Sequence, residues 1–213
     1  ARVVLLDMID DGDTDGFQTF RCDVSDERLV EAAFDKVEAA IGLPEILINN
    51  AGINALGPAA TYPTASWMKV LGTNLNGAFF CARRVGSRLI EAGRPGRIIN
   101  IASVMGHVGP SMHNAVAYSA AKAGMLGLTR ALAVEWAPKR INVNAICPGM
   151  ILTDLTASRM DDSEYERKMR QRIPGGRFGQ PDDLVGTAVF LASPASSLIT
   201  GHALNVDAGW MAA

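Results

Sequence analysis

A tyrosine and a lysine stand four residues apart in the stretch Tyr118-Ser119-Ala120-Ala121-Lys122. On a helix, residues four apart lie on one face, so the phenol and the ammonium would be neighbours. A free phenol has a pKa of about 10 and is a poor base at neutral pH, but a nearby positive charge lowers that pKa. The pair therefore predicts an acid/base unit for interconverting a carbonyl and an alcohol. The alternative is a surface tyrosine and lysine that share this spacing by chance.

The elements that must position this pair alternate between strands and helices. Short apolar runs predict strands at residues 2–7, 17–21, 46–48, 97–101, 141–146 and 204–206. Helical spacing predicts a helix that Ser25 caps, and further helices over residues 64–91, 115–137, 155–172 and 181–192. The Asp- and Gly-rich residues 8–16 predict a loop. This order predicts a doubly wound parallel α/β sheet, and we expect residues 1–213 to form a single domain.

Polar residues and glycines gather where the predicted strands end. In sheets of this kind, ligands bind at the carboxyl ends of the strands. The residues at those ends are Asp7, Asp23, Asn49 to Gly52, Ser103 and Pro148-Gly149. The pattern therefore predicts a binding site along that edge of the sheet.

The composition excludes several classes of function. The 213 residues carry a net charge of −2 without a long run of one sign, which argues against a nucleic-acid footprint. No apolar run approaches the roughly 18 residues that a membrane span needs. The three cysteines are far apart and odd in number, which favours buried thiols in a reducing compartment over disulfides or a metal site. We therefore expect the protein to be located in the cytoplasm.

The motifs and their order closely resemble the short-chain dehydrogenase/reductase family, and the resemblance covers nearly the whole chain. The motifs that carry it are Asn49-Asn50-Ala51-Gly52, Thr73-Asn74-Leu75, Asn100-Ile101-Ala102-Ser103, Tyr118 with Lys122, and Pro148-Gly149-Met150-Ile151-Leu152-Thr153. The resemblance implies a Rossmann-type fold. It also implies an NAD(P)-dependent oxidoreductase that interconverts a secondary alcohol and a ketone.

Catalytic roles for four residues follow from the resemblance. Tyr118 would be the general acid/base, and Lys122 would lower its pKa and hydrogen-bond the nicotinamide ribose. Ser103 would hold the substrate oxygen as its charge develops. Asn74 would anchor a water in the proton relay. The alternative for Asn74 is a polar helix residue whose side chain is satisfied by backbone groups.

Cofactor contacts are implied in the same way. Asp7 ends the strand that would meet the adenosine ribose, where a carboxylate accepts from the hydroxyls and repels a 2′-phosphate, so NAD is expected over NADP. Asp23 and Val24 resemble the adenine-binding pair. Ordinary alternatives are a strand-end acid for Asp7 and a turn into the next helix for Asp23.

Further cofactor contacts are implied for the later motifs. Asn50, Ala51 and Gly52 would let the dinucleotide approach the backbone, since glycine has no side chain to obstruct it. Beyond Pro148 and Gly149, two residues would contact the nicotinamide carboxamide, namely Ile151 and Thr153.

The start of the chain departs from the family pattern. No two of the 21 glycines are separated by a single residue, so the chain has no G-x-G fingerprint. The missing unit would be one strand and one helix, roughly 30 residues. That strand would be central, so its absence would leave residues 2–7 and 46–50 as two unpaired apolar edges. We therefore expect that the chain is incomplete or that another element fills this gap.

The spacing between the candidate serine and Tyr118 also departs from the family pattern. The interval from Ser103 to Tyr118 is longer than the resemblance implies, which makes Ser111 a second, weaker candidate. A serine hydrolase is not supported, because the nearest string to a nucleophile elbow, Gly109-Pro110-Ser111-Met112-His113, fails at its last position. The three histidines show no metal spacing.

A different class of function is a non-catalytic protein that acts through oligomer contacts. The absent phosphate loop favours it, whereas the set Asn74, Ser103, Tyr118 and Lys122 argues against it. The resemblance further implies a homotetramer and a substrate lid at residues 155–175. The substrate stays open among a sugar or sugar acid, a 3-oxoacyl thioester, a steroid and a simple secondary alcohol.

Overall fold

Seven strands form two hydrogen-bonded sheets in a computed structural model that describes residues 1–8, 12–14 (backbone only), 16–109, 114–156 and 163–213. The strands are β1 (Val4–Asp7), β2 (Gly12–Thr14), β3 (Phe17–Arg21), β4 (Ile46–Asn49), β5 (Gly96–Ile101), β6 (Ile141–Pro148) and β7 (Ala203–Val206). The first sheet has the order β1-β3-β2 and the second β4-β5-β6-β7, with every pair parallel except β2 with β3. The predicted α/β class is confirmed.

The predicted separation of the first strand from the fourth is confirmed as well. Within the described strands, β1 pairs only with β3, and β4 pairs only with β5. The side chains of Ile46 and Ile48 on β4 are 38% and 46% exposed, although both residues are apolar. The β1 and β4 edges are therefore free of strand partners in the described chain.

Within the described ranges, six α-helices whose bounds are defined pack around these strands. They are α1 (Glu27–Ile41), α2 (Thr64–Leu71), α3 (Gly77–Glu91), α4 (Val116–Trp136), α5 (Ser163–Gln171) and α6 (Asp182–Ala192). A π-helical turn over Gly72–Asn76 joins α2 to α3, so the long helix predicted for residues 64–91 is confirmed. The cap of α1 is Asp26, which accepts from the Arg28 N–H, and not Ser25, whose hydroxyl donates to Asp23 instead.

Helices cover both faces of the second sheet, whose central strands β5 and β6 are mostly buried. On β5, Ile98 belongs to the cluster that packs against α1, α3 and α4, while the next residue, Ile99, packs with Leu191 of α6. Such alternation between two buried faces is typical of parallel sheets. Val4 and Phe20 of the first sheet pack against the same cluster as Ile98, so one apolar core joins the two sheets.

The prediction of a loop over residues 8–16 was wrong in part. Backbone hydrogen bonds pair β2 with β3 as a hairpin, and Thr14 lies opposite Phe17. Two residues, Asp15-Gly16, separate those partners in the sequence, and Asp-Gly is a strong signal for a tight hairpin turn. Gly16 has a φ of 80°, a conformation that glycine adopts without steric cost.

Candidate active site

Helix α4 brings Tyr118 and Lys122 together. The Lys122 Nζ lies 5.5 Å from the centroid of the Tyr118 ring. The same ammonium donates to the Ile101 carbonyl oxygen at 2.6 Å, which anchors it to the end of β5. Tyr118 is half-buried and lines an open cleft together with Ser103. The cation and the phenol therefore sit side by side at the carboxyl edge of the second sheet.

Burial changes the chemistry of the Lys122 ammonium. Only 2% of this residue is exposed, and burial lowers its pKa from 10.5 to about 8, while the Cys147 thiol nearby has the opposite, smaller effect. The ammonium is still mainly protonated at neutral pH, because its pKa stays above 7. A positive charge that water screens poorly acts strongly on a neighbouring phenol.

Ser103 follows β5 and begins a short 3₁₀ turn over Val104–Gly106. Its Oγ accepts from the Met105 N–H at 3.1 Å, which caps this turn. A hydroxyl that accepts through a lone pair keeps its proton for donation. Ser103 can therefore donate to an oxygen in the cleft. The alternative candidate, Ser111, lies outside the described residues.

Asn74 is fully buried in the π-helical turn. Its Oδ1 accepts from the Ile53 N–H and its Nδ2 donates to the Ile53 carbonyl oxygen, each at 2.8 Å. These two bonds correspond to the alternative in which backbone groups satisfy the side chain. Single π turns often occur at functional sites, and here the turn directs Asn74 toward the chain that follows β4.

At two positions near the site, the absence of a side chain on glycine leaves space that a Cβ atom would fill. A Cβ added at Gly52 would lie 3.2 Å from the Asn74 Oδ1 and 3.8 Å from the Lys122 Nζ. A Cβ at Gly149 would lie 2.9 Å from the Asp207 Cα. The backbone thus approaches the catalytic candidates Asn74 and Lys122 closely at Gly52, and it packs against the backbone of Asp207 at Gly149. A cradle that a side chain would fill, beside a buried cation, fits the nicotinamide and ribose end of a dinucleotide.

The candidates for the adenosine end lie on the first sheet. Asp7 is exposed at the end of β1, and its Oδ1 accepts from the Met8 N–H at 2.6 Å. The Asp23 carboxylate accepts from the N–H and the hydroxyl of Ser25 at 2.9 and 2.7 Å, which is the predicted alternative of a turn into the helix. Val24 packs against α3, where a Cβ at Gly77 would lie 2.7 Å from its Cγ2.

The remaining cofactor candidates follow β4 and β6. Asn50 and Ala51 are exposed directly after β4, and Pro148 is buried at the end of β6. Ile151 forms an isolated bridge with Gly179. Thr153 is exposed, and its N–H donates to the Thr156 Oγ1 at 3.0 Å.

A buried amide network under the site was missed as a unit by the sequence analysis. Asn49 donates to the Asn100 Oδ1 at 2.9 Å, and Asn100 donates to the Thr129 Oγ1 at 2.9 Å. Thr129 in turn donates to the Met125 carbonyl oxygen at 2.8 Å. The network ties the ends of β4 and β5 to α4. The asparagines at strand ends were visible in the sequence, but no pattern indicated Thr129 as their partner.

The cleft beside Tyr118 and Ser103 is open to solvent and has a cavity volume of about 60 Å³. Most of its other walls are apolar, and they come from segments far apart in the chain. The further residues that line it are Asn54, Val104, Met105, Gly149, Met150, Leu155, Thr156, Met169 and Trp210. Asn54 was not among the predicted site residues, since nothing in the sequence distinguishes it from an ordinary loop asparagine.

Two other kinds of feature are absent from the described ranges. No group of three or more His, Cys, Asp or Glu side chains there could hold a metal ion. In the same part of the chain, no helix has the length and apolar character needed to cross a membrane.

The sequence matches a protein-family model and several known dehydrogenases. A protein-family model described as enoyl-(acyl carrier protein) reductase matches residues 3–211. The 2-dehydro-3-deoxy-D-gluconate 5-dehydrogenase of Dickeya dadantii is 40% identical over 92% of this chain and 77% of its own length. The D-threitol dehydrogenase of Mycolicibacterium smegmatis is 40% identical over 93% of this chain and 75% of its own length.

Solved structures agree with the sequence relatives. The crystal structure of a gluconate 5-dehydrogenase from Burkholderia cenocepacia, in complex with NADP and tartrate, superposes with a TM-score of 0.86. It is 36% identical, and the match covers 93% of this chain and 78% of that one. The chain therefore belongs to the short-chain dehydrogenase/reductase family. It is an NAD(P)-dependent oxidoreductase that acts on CH–OH groups and interconverts a secondary alcohol and a ketone.

Proposed function

We propose that Tyr118 is the general acid/base of this reaction. The observation that carries the proposal is the placement of the Lys122 Nζ 5.5 Å from the Tyr118 ring, beside a cleft that Ser103 also lines. In alcohol oxidation, the Tyr118 phenolate takes the hydroxyl proton while the C–H bond breaks and the C=O bond forms. When bound, the nicotinamide would provide the hydride acceptor in this direction and the hydride donor in ketone reduction.

Ser103 and Lys122 assist this proton transfer in different ways. The Ser103 hydroxyl donates to the substrate oxygen, where negative charge develops as the proton leaves. The Lys122 ammonium stabilises the phenolate form of Tyr118 and offers its remaining N–H donors to the cofactor ribose. Its burial, with 2% exposed, limits screening by water and strengthens both effects.

Asn74 positions the backbone segment that follows β4 at the site. Its two hydrogen bonds to the Ile53 backbone fix the chain that follows Gly52. An amide oxygen has two lone pairs and an amide nitrogen two N–H groups, so Asn74 also retains capacity to anchor a water. We assign it both tasks, with the proton-relay task supported by its burial in a π turn.

The cofactor residues are proposed in two groups. Gly52, with Asn50 and Ala51, and the segment from Pro148 and Gly149 to Ile151 and Thr153 would hold the nicotinamide half. Asp7, Asp23 and Val24 would hold the adenosine half. The exposed carboxylate of Asp7 at the end of β1 favours NAD, because it would repel a 2′-phosphate.

The substrate is proposed to be a small molecule with several hydroxyl groups. The names of two relatives specify a keto-deoxy sugar acid and a four-carbon polyol, and a solved relative holds tartrate.

We propose that residues 155–175 form a lid over the cleft. Leu155, Thr156 and Met169 of this segment line the cleft. Hydrogen exchange that does not slow in this segment on ligand binding would contradict the lid.

The assembly and compartment follow the family pattern in this proposal. Helices α2 to α4 would form one interface of a homotetramer, and α6 with β7 the other. Apolar side chains on the outer surface support it, since Val134 of α4 is 80% and Val189 of α6 is 62% exposed. A monomer mass by light scattering would contradict the homotetramer.

Three free, buried cysteines are compatible with the reducing cytoplasm as the location of the protein. Export of the native protein would exclude this location.

The decisive experiment is Tyr118→Phe in the full-length protein. Removing one hydroxyl should lower turnover of a polyol substrate by about 10²- to 10⁴-fold, because the acid/base is lost. NADH affinity, measured by fluorescence, should change little. Retained turnover would remove Tyr118 from this role. The non-catalytic alternative predicts neither turnover nor NADH binding in the wild-type protein.

A further inference from the structure

The chain segment that follows β6 is paired with a second short stretch of extended backbone. Ile151 and Gly179 form an isolated parallel bridge. The Gly179 N–H donates to the Met150 carbonyl oxygen at 2.8 Å, and the Leu152 N–H donates to the Gly179 carbonyl oxygen at 2.9 Å. A Cβ added at Gly179 would lie 2.4 Å from the Ile151 Cδ1, so a side chain at this position would displace Ile151. The position of residues 150–152 therefore depends on where Gly179 lies.

An ion pair connects the stretch that contains Gly179 to the start of α6. The two Nη atoms of Arg177 donate to the two carboxylate oxygens of Asp183, each at 2.7 Å, and Asp183 lies in the first turn of α6. The Asp183 Oδ2 also accepts from the Gln180 N–H at 2.8 Å. Bidentate contacts of this kind fix orientation as well as distance. Because Gly179 lies between Arg177 and Gln180, one carboxylate holds the chain on both sides of it.

The residue before Gly179, Phe178, connects the same stretch to the wall of the cleft. Phe178 is buried and packs in one cluster with Met150 and Met169, and both methionines line the cleft. The Arg177 Nη1 also donates to the Phe178 carbonyl oxygen at 3.2 Å. The arginine therefore contacts a stretch whose side chain and backbone both pack against the site.

The Asp183 carboxylate is ionised at the pH of any ordinary assay. The hydrogen bonds from the Arg177 side chain, and next that from the Gln180 N–H, hold the pKa of this carboxyl far below its usual value of 3.8. The Arg177 side chain is 58% exposed, and exposed ion pairs contribute little to the free energy of unfolding. Loss of the pair is therefore expected to change the position of Gly179 more than the stability of the fold.

We propose that Arg177 and Asp183 are positioning residues for the cofactor, which act through Gly179 to hold residues 150–152 in place for the nicotinamide half. Neither of the two charged residues lines the cleft in the described chain, so both act through the backbone. A segment that is already held in place does not have to be ordered when the cofactor binds. This inference rests on the proposed function, since it takes residues 148–153 as part of the site for the nicotinamide half.

The test compares two ligands that differ only in the nicotinamide ring, which NADH carries and ADP-ribose lacks. In the full-length protein, Arg177→Gln should weaken NADH binding, measured by fluorescence titration, by about 5- to 20-fold, because a charged bidentate contact is lost. ADP-ribose binding, measured by calorimetry, should change by less than about two-fold, since this ligand lacks the ring that residues 150–152 would meet. An unchanged NADH affinity, or equal losses for the two ligands, would overturn the proposal.

Two further variants control for effects on folding. Asp183→Asn keeps the shape of the side chain and an acceptor for the Gln180 N–H but removes the charge that pairs with Arg177, so NADH binding should weaken by a smaller factor. This variant replaces Arg177→Gln in the comparison if the latter does not fold. Arg94→Gln breaks another exposed ion pair, with Glu45, at the opposite edge of the sheet, and it should leave both affinities unchanged. A thermal melt of each variant checks that the fold is retained.

Turnover kinetics separate this inference from the proposed function. Arg177→Gln should raise the KM for NAD and leave kcat within about two-fold of the wild type, because Tyr118 and Ser103 are not displaced. A fall in kcat with an unchanged KM would overturn the positioning role. Turnover retained in Tyr118→Phe would refute the proposed acid/base alone, since the binding measurements need no turnover. Loss of NADH affinity in Thr153→Val but not in Arg177→Gln would refute the role of the ion pair alone, and the reverse result would refute the proposed contact of Thr153 alone.

Discussion

The buried ammonium of Lys122 should give the protein a measurable pH signature. Burial lowers its pKa from 10.5 to about 8, so the folded state disfavours the charged form by about 3 kcal/mol. The unfolded chain keeps this proton up to the higher pKa. Between the two pKa values the unfolded state therefore binds more protons, and stability rises with pH in that window. Below about pH 8 both states are charged, and this group contributes no further pH dependence.

The assay is a comparison of Lys122→Met with the wild-type protein by denaturant unfolding at two pH values. From about pH 7 to pH 9.5, the wild type should gain about 2 kcal/mol relative to the variant, because only the wild type can release this proton. The control is Lys139→Met, a matched change at an exposed lysine, which should follow the wild type at both pH values. A wild-type minus variant difference that stays constant with pH would refute the argument that burial perturbs this lysine.

Two other substitutions test the support of the site and the cofactor preference. Asn74→Ala leaves the N–H and the carbonyl of Ile53 unpaired and should lower the free energy of unfolding by about 2 to 4 kcal/mol. A loss of activity without any loss of stability in denaturant melts would mean that Asn74 acts only in the proton relay. Asp7→Ser removes the carboxylate at the end of β1 and should raise the ratio of kcat/KM with NADP to that with NAD by about 10-fold or more. An unchanged ratio in steady-state kinetics would exclude Asp7 from the choice of cofactor.

Much of the architecture was predictable because it depends on local apolar patterns. The helix over residues 64–91 and the helix α4, expected at 115–137 and found at Val116–Trp136, both follow from regular helical spacing. The strand ends were located well enough to place the polar motifs at one edge. The proximity of Tyr118 and Lys122 followed from a spacing of four on a helix, which needs no tertiary information.

The features that were missed depend on contacts between distant segments. The cap of α1 is Asp26 because Asp23 already engages the Ser25 hydroxyl, and that competition is not visible from residue preferences. The π turn at Gly72–Asn76 and its bonds to Ile53 join residues about 20 positions apart in the sequence. Asn54 could not be singled out, since its place in the lining of the cleft depends on segments that are far apart in the chain.

Two sets of buried polar groups, one beneath the site and one at the cleft, differ in how well their hydrogen bonds are satisfied. This difference indicates that ligands bind at the cleft. Under the site, Asn49, Asn100 and Thr129 hydrogen-bond one another in a buried network. At the cleft, the polar groups are placed less favourably for stability: Lys122 is a buried cation with a depressed pKa, and Asn54 has a buried acceptor without a partner in the described chain. The lower network is satisfied, whereas buried side-chain atoms without a partner in the described chain also occur outside the lining of the cleft, at the Arg97 Nε and the Ser119 Oγ. Groups that cost stability in the free protein and gain partners when a ligand enters are what an enzyme site requires.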